Sequence, residues 1–141
     1  MTANELLNSQ LQDATFQLEK VLEGVEEKDL DFKLASTSMS IRELVEHLCE
    51  VYTAVEVESK GETHSWGSFS IEDKSWANLT DQFKSLRSTA LTIASGASDD
   101  NAILSASAFI VAHDFYHVGQ LASIRMATDP TWDAYSIYNH G

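Results

Sequence analysis

Apolar residues recur at alternating intervals of three and four in four separate stretches of this 141-residue chain. That period fits the turn of an α-helix and not the alternation of a strand. The first stretch sets Leu7, Leu11, Ala14, Leu18 and Val21 on one face and stops at Gly24, a residue able to take the left-handed conformation that closes a helix. The second begins at Ser40-Ile41-Arg42-Glu43, a capping box in which the serine hydroxyl accepts a first-turn amide while Glu43 reaches back to the serine amide. Its stripe is Ile41, Leu44, Val45, Leu48, Tyr52 and Val55, running to about Glu58 before Gly61. The third takes Ser75 as its cap and repeats Trp76, Leu79, Phe83, Leu86, Ala90 and Ile93 before Gly96. The fourth follows the capping cluster Ser98-Asp99-Asp100-Asn101 and runs to about Ala127, with Pro130 beyond its end.

The connections between these stretches constrain the topology. Residues 25–38 form a charged connector without a sustained period, whereas residues 59–74 mix Gly61, Gly67 and serines with His64, Trp66, Phe69 and Ile71. A helix of about 18 residues is roughly 27 Å long, and some 15 residues of extended chain reach about 50 Å, so the second connection can return along a whole bundle. It permits the second and third helices to run parallel. The tail carries Trp132, Tyr135, Ile137 and Tyr138, too apolar for a solvated terminus, and is expected to pack. With one proline, six glycines and no internal repeat, residues 1–141 read as one all-α domain, a four-helix bundle with a long crossover between helices 2 and 3.

Charge narrows the function classes. The chain has 22 acidic and 9 basic residues, a formal net charge of -13, which repels nucleic-acid phosphates and disfavours an anionic membrane surface. No basic leader and no apolar run of spanning length occur, so a cytoplasmic location is expected. The lone Cys49 cannot form an internal disulfide, which agrees with a reducing compartment, and is expected to be an ordinary structural thiol.

The chemistry-bearing residues cluster in the fourth helix. His113 and His117 are one turn apart and fall within its core stripe of Ile103, Ala106, Ser107, Ile110, Leu121 and Ile124. Two inward imidazoles at that spacing suit a metal ion, although the pair lacks the glutamate that follows the first histidine in a zincin helix. Two core histidines hydrogen-bonded to facing helices are the competing reading. A third ligand has to come from another helix, and His47 is the candidate by elimination, since His64 lies in the crossover and His140 is penultimate. Spacing alone favours a partly exposed surface histidine at His47 over a ligand.

The segment His113-Asp114-Phe115-Tyr116-His117-Val118-Gly119-Gln120-Leu121, with Ile124-Arg125 after it, resembles the C-terminal histidine motif of the DinB-like (DinB/YfiT) family of metalloenzyme-type proteins. Ser40-Ile41-Arg42-Glu43-Leu44-Val45-Glu46-His47-Leu48 resembles that family's earlier histidine helix. The resemblance implies an up-down-down-up bundle, a divalent metal held by His47, His113 and His117, and a homodimer. It also implies chemistry of the hydrolase or thiol-dependent transferase type on an unidentified small molecule.

Three neutral imidazoles leave a coordination position open to water or substrate. Zinc, nickel and iron(II) all accept imidazole ligation, so the donor set does not choose among them. Around the pair, Asp114 is expected on the core side, partnered by Arg125 or Arg42 or serving as a proton-transfer group. Gln120 can orient His117 or merely pack. Tyr52, Trp66 and Tyr116 can line a cleft or fill the core. Glu43 is a conceivable base whose capping role competes with that task, so no catalytic acid or base is assigned. A non-catalytic bundle that binds a metal or a small ligand is the alternative function.

Overall fold

Each sequence stretch becomes a helix in the computed structural model, which describes residues 1–138 and therefore leaves His140 outside the described residues. Helix α1 spans Ala3–Leu22, α2 Ile41–Ser59 and α3 Trp76–Ser95. The fourth rod is made of α4 (Asp100–Ala106), a π-helical turn (Ser107–Ala112) and α5 (His113–Thr128). Its junction residues keep right-handed helical dihedrals, with Ala106 at φ -64 and ψ -40 and Ala112 at φ -63 and ψ -39, so the chain continues as one helix. The described residues contain no strand; short 3-10 turns occur at Glu27–Asp29 and Ser136–Tyr138. No helix among them is long and apolar enough to cross a membrane.

The ends are set by local chemistry. Ser40 and Glu43 form the expected capping box, and Thr2 with Glu5 forms another at the start of α1. Ser75 and Asp99 cap α3 and the fourth rod by accepting from Asn78 N and Ala102 N. Gly24 follows α1 at φ 73, a left-handed conformation that costs glycine little.

The crossover is fastened to α2. Gly67 N–H donates to Glu50 Oε1 at 2.9 Å, Ile71 N–H to Glu46 Oε2 at 3.2 Å, and Arg42 Nη1 donates to the Lys74 carbonyl. Successive residues of this segment thus meet α2 in reverse order, and α3 starts beside the end where α2 began. The contact explains why α2 is buried on two sides: Leu44, Leu48 and Tyr52 face the bundle, while Glu50 and His64 are enclosed between α2 and the crossover.

Three stripes differ from the spacing-based expectation, that of α2 only in that Val55 is half-buried. On α3, Leu86 and Ile93 are only half-buried, and Arg87 and Ala94 occupy the core face instead. In the fourth rod, Ile110 and Val111 are both buried, because the wider π turn lets adjacent residues share the inner face, and Ser107 is half-buried. The tail divides: Ile137 is buried and Trp132 lies under the Arg125 guanidinium at 5.4 Å, but Tyr135 and Tyr138 are exposed.

Candidate metal centre

Helix α2 carries His47 into the space faced by the first two turns of α5, which supply His113 and His117. The Nε2 atom of His113 lies 3.1 Å from Nε2 of His47 and 3.0 Å from Nε2 of His117. All three donor atoms fall within 4.8 Å of one another. Ring centroids are 4.3 to 5.1 Å apart and the planes are steeply inclined, so the rings converge by their edges rather than stack. His117 is buried; His47 and His113 are half-buried, and the cluster is therefore reachable from solvent.

The donor set fits a divalent cation. Zinc-to-imidazole bonds of about 2.0–2.1 Å imply nitrogen separations of about 2.9 Å at a right angle and about 3.3 Å at a tetrahedral one. The two closest separations observed, 3.0 and 3.1 Å, lie between these values. The tautomer of His117 is fixed by its neighbour. Its Nδ1 is 2.6 Å from Gln120 Oε1, whose amide nitrogen in turn donates to Tyr116 Oη at 3.3 Å. A carbonyl oxygen only accepts, so Nδ1 carries the proton and the lone pair of neutral His117 sits on Nε2, directed at the other rings. His113 Nδ1 is buried without a hydrogen-bond partner, so its ring is held by the Nε2 side alone. Lone pairs crowded this closely repel unless a shared proton or a cation lies among them.

Burial is the leading cause that depresses the basicity of all three rings. It lowers the pKa of His47 against an opposing pull from Glu50, and that of His117 against the hydrogen bond its Nδ1–H donates to Gln120 Oε1. His113 is pushed down to about 4, with repulsion from protonated His117 and His47 adding to burial. At neutral pH the rings are thus uncharged, the state in which imidazole binds a metal.

Around the cluster the carboxylates are already engaged. Asp114 is fully buried, but its partner is neither Arg125 nor Arg42 as the sequence suggested. Arg87 Nη1 donates to Asp114 Oδ2 at 2.7 Å, and Tyr52 Oη donates to Asp114 Oδ1 at 2.8 Å. Arg87 also donates to Tyr52 Oη at 2.6 Å and to Thr15 Oγ1 at 2.9 Å, so one network joins α1, α2, α3 and α5. Burial raises the Asp114 pKa while Arg87 and Tyr52 pull it back. Arg42 instead pairs with Asp31 at 2.9 Å, and Arg125 donates to the Val21 and Glu23 carbonyls near the end of α1. Glu43 makes the α2 cap and pairs with Lys33 at 3.2 Å, the capping role that competes with a role as base.

The aromatic candidates separate in the same way. Tyr52 is core, while Tyr116 is exposed and lies beside His117, with centroids 5.1 Å apart. Trp66 is half exposed and touches His64 and Phe109. His64 does not join the cluster; it lies 3.5 Å from Glu50. Cys49 is fully buried and its thiol is pushed up to about 12, a structural sulfur. Arg87, Thr15 and Glu50 were missed by sequence reading; the only available signal was a charged residue at the phase of Phe83 and Ala90. Comparison of the chain with protein-family models, with curated proteins and with solved structures finds no match.

Proposed function

We propose that His47, His113 and His117 hold a divalent metal ion through their Nε2 atoms and that the chain is a metal-dependent enzyme of hydrolase or thiol-dependent transferase type. The observation that carries this reading is the convergence of three neutral imidazole nitrogens within 4.8 Å, with two rings half-exposed. A bound divalent cation supplies Lewis acidity toward a carbonyl, a thiol or water. The chain's own part is to hold His117 in one tautomer through Gln120, to keep the rings unprotonated by burial, and to present Tyr116 at the rim. The DinB-like resemblance of the two histidine segments favours this chemistry, together with a small-molecule substrate, a homodimer and a cytoplasmic setting. The up-down-down-up order belongs to the same reading. It is supported by the reversed course of the crossover along α2 and by Asn4, at the start of α1, donating to the Ala97 carbonyl just past α3.

Metal analysis of tag-free protein tests the site. The expected result is one divalent ion per chain in wild type and none in the His113→Ala/His117→Ala variant. A wild-type protein that takes up no ion on reconstitution with zinc, nickel or iron(II) overturns it. One observation favours a non-catalytic metal-binding bundle: the carboxylates adjacent in sequence to the ligands are occupied, Asp114 by Arg87 and Tyr52, and Glu46 by Ile71 N and Lys74. Turnover of thiol adducts, esters or amides by the metal-loaded protein excludes that reading, and metal-dependent stability without turnover supports it.

A further inference from the structure

The outer face of the fourth rod carries no charge. Between Asn101 and Thr128 the two charged residues, Asp114 and Arg125, are both buried, and the exposed positions include Leu104, Ala108, Ala112, Tyr116, Gly119 and Met126. The other helices differ: α1 exposes Glu5, Asp13 and Glu19, α2 Glu43 and Glu58, and α3 Asp81 and Lys84. Leu104, Tyr116 and Met126 are 66%, 65% and 53% exposed, three large apolar side chains on one charge-free face of a chain whose net charge is -13. Apolar surface gathered on one face marks an interaction site.

The order of sizes along this face is symmetric. Leu104, Ala108, Ala112 and Tyr116 follow one another at intervals of four, large, small, small and large, and all are exposed. In an ordinary α-helix residues four apart drift around the axis, because a turn takes 3.6 residues. Here the middle of the row lies in the π turn Ser107–Ala112, whose i→i+5 bonding takes more residues per turn, so the row runs straighter along the rod. The two alanines let another helix approach closely, toward the lower end of the range of about 8–10 Å between packed axes, and the larger side chains at either end fill the space where two crossing rods diverge. An isologous interface needs such a pattern, since a residue i that meets residue j of the copy is itself met as i by the copy's j. With a twofold axis between positions 108 and 112, Ala108 faces the partner's Ala112 and Leu104 the partner's Tyr116, each contact being made twice. Charge points to the same occupant. Two chains of net charge -13 repel through faces that carry their acids, whereas across a charge-free face the remaining charges, more than about 8 Å away, are largely screened by physiological salt.

We propose that the outer face of the fourth rod is a self-association surface, on which a second copy of this chain packs about a twofold axis between Ala108 and Ala112. The inference rests on the homodimer of the reading above and uses nothing of its metal chemistry. It sets the partner at the edge of the candidate metal centre: the partner's Leu104 covers Tyr116, whose Oη accepts from the Gln120 amide that holds His117.

Sedimentation equilibrium of the tag-free full chain tests the face. Wild type is expected as a dimer at about 10 μM, within the span of affinities that protein interfaces show. Ala108→Glu, which sets a carboxylate at the centre of the contact, is expected to raise the dissociation constant at least about tenfold while keeping the far-ultraviolet circular dichroism of wild type. Leu104→Lys and Tyr116→Glu are each expected to be monomeric alone and to form a dimer when mixed in equal amounts. In the mixed pair the introduced lysine meets the introduced glutamate across the axis, and the second contact between positions 104 and 116 stays native. If Ala108→Glu loses helicity, the mixing result decides. A dimer unchanged by Ala108→Glu, or two monomeric variants that form no mixed dimer, overturns this face and leaves the homodimer to another one. A wild type that stays monomeric overturns the face and the homodimer together, and one that instead floats with phosphatidylcholine vesicles overturns them in favour of a lipid surface. Metal uptake by the same samples stands or falls separately.

Discussion

At Arg87 the sidedness of a single residue organises much of the molecule's interior. Its guanidinium is buried with Asp114, Tyr52 and Thr15, and truncating one partner of such a pair strands the other without water. Arg87→Ala is expected to lose about 3–5 kcal/mol of stability by urea denaturation. The residue also shows where sequence reading stopped. Helical phase placed position 87 beside Phe83 and Ala90, but an arginine at such a position is usually read as solvated, and only the carboxylate from another helix makes it core. His47 is the opposite case. Its one-dimensional context favoured a surface histidine, and only the packing of α2 against α5 places its Nε2 3.1 Å from that of His113.

Among the elements, the fourth rod is the one whose geometry the residue pattern did not disclose. Its caps and length were legible, since Asp99 and the residues around it carry the chemistry of an N-terminus. The π turn at Ser107–Ala112 was not, because a wide turn uses the same helix-forming residues and differs only in how one extra residue is absorbed. Deleting exposed Ala108 inside that turn is therefore expected to tighten it to an α turn and leave the phase of both flanks, with metal binding and helical circular dichroism preserved. Deleting Ala122 in the regular part of α5 rotates everything after it by about 100°, swinging Ile124 and Arg125 out of the core, and is expected to lower the melting temperature sharply. A melting temperature lowered equally by both deletions would refute the distinction.

For the whole molecule, acid is the informative stress. His113 is held near a pKa of about 4, below the 6.5 of the free side chain, so between those values the unfolded chain binds a proton that the folded chain does not. Its contribution to stability is complete above pH 6.5 and is lost as pH falls toward 4; any bound metal is displaced in the same direction, because protons and metal compete for the same nitrogens. Thermal melts of metal-free protein from pH 7.5 to 4 are expected to fall with acidification, with a smaller fall in His113→Ala. The crossover gives this fold a kinetic property as well. Glu46 and Glu50, which clasp its Ile71 and Gly67 amides, bracket His47 on α2, so the segment and a candidate ligand share one turn of helix. Peeling the segment away loosens that turn, and release of a bound ion to a chelator becomes a gated event rather than a simple dissociation. Glu46→Gln/Glu50→Gln protein is expected to surrender its metal faster in stopped flow while its equilibrium affinity moves less than the rate.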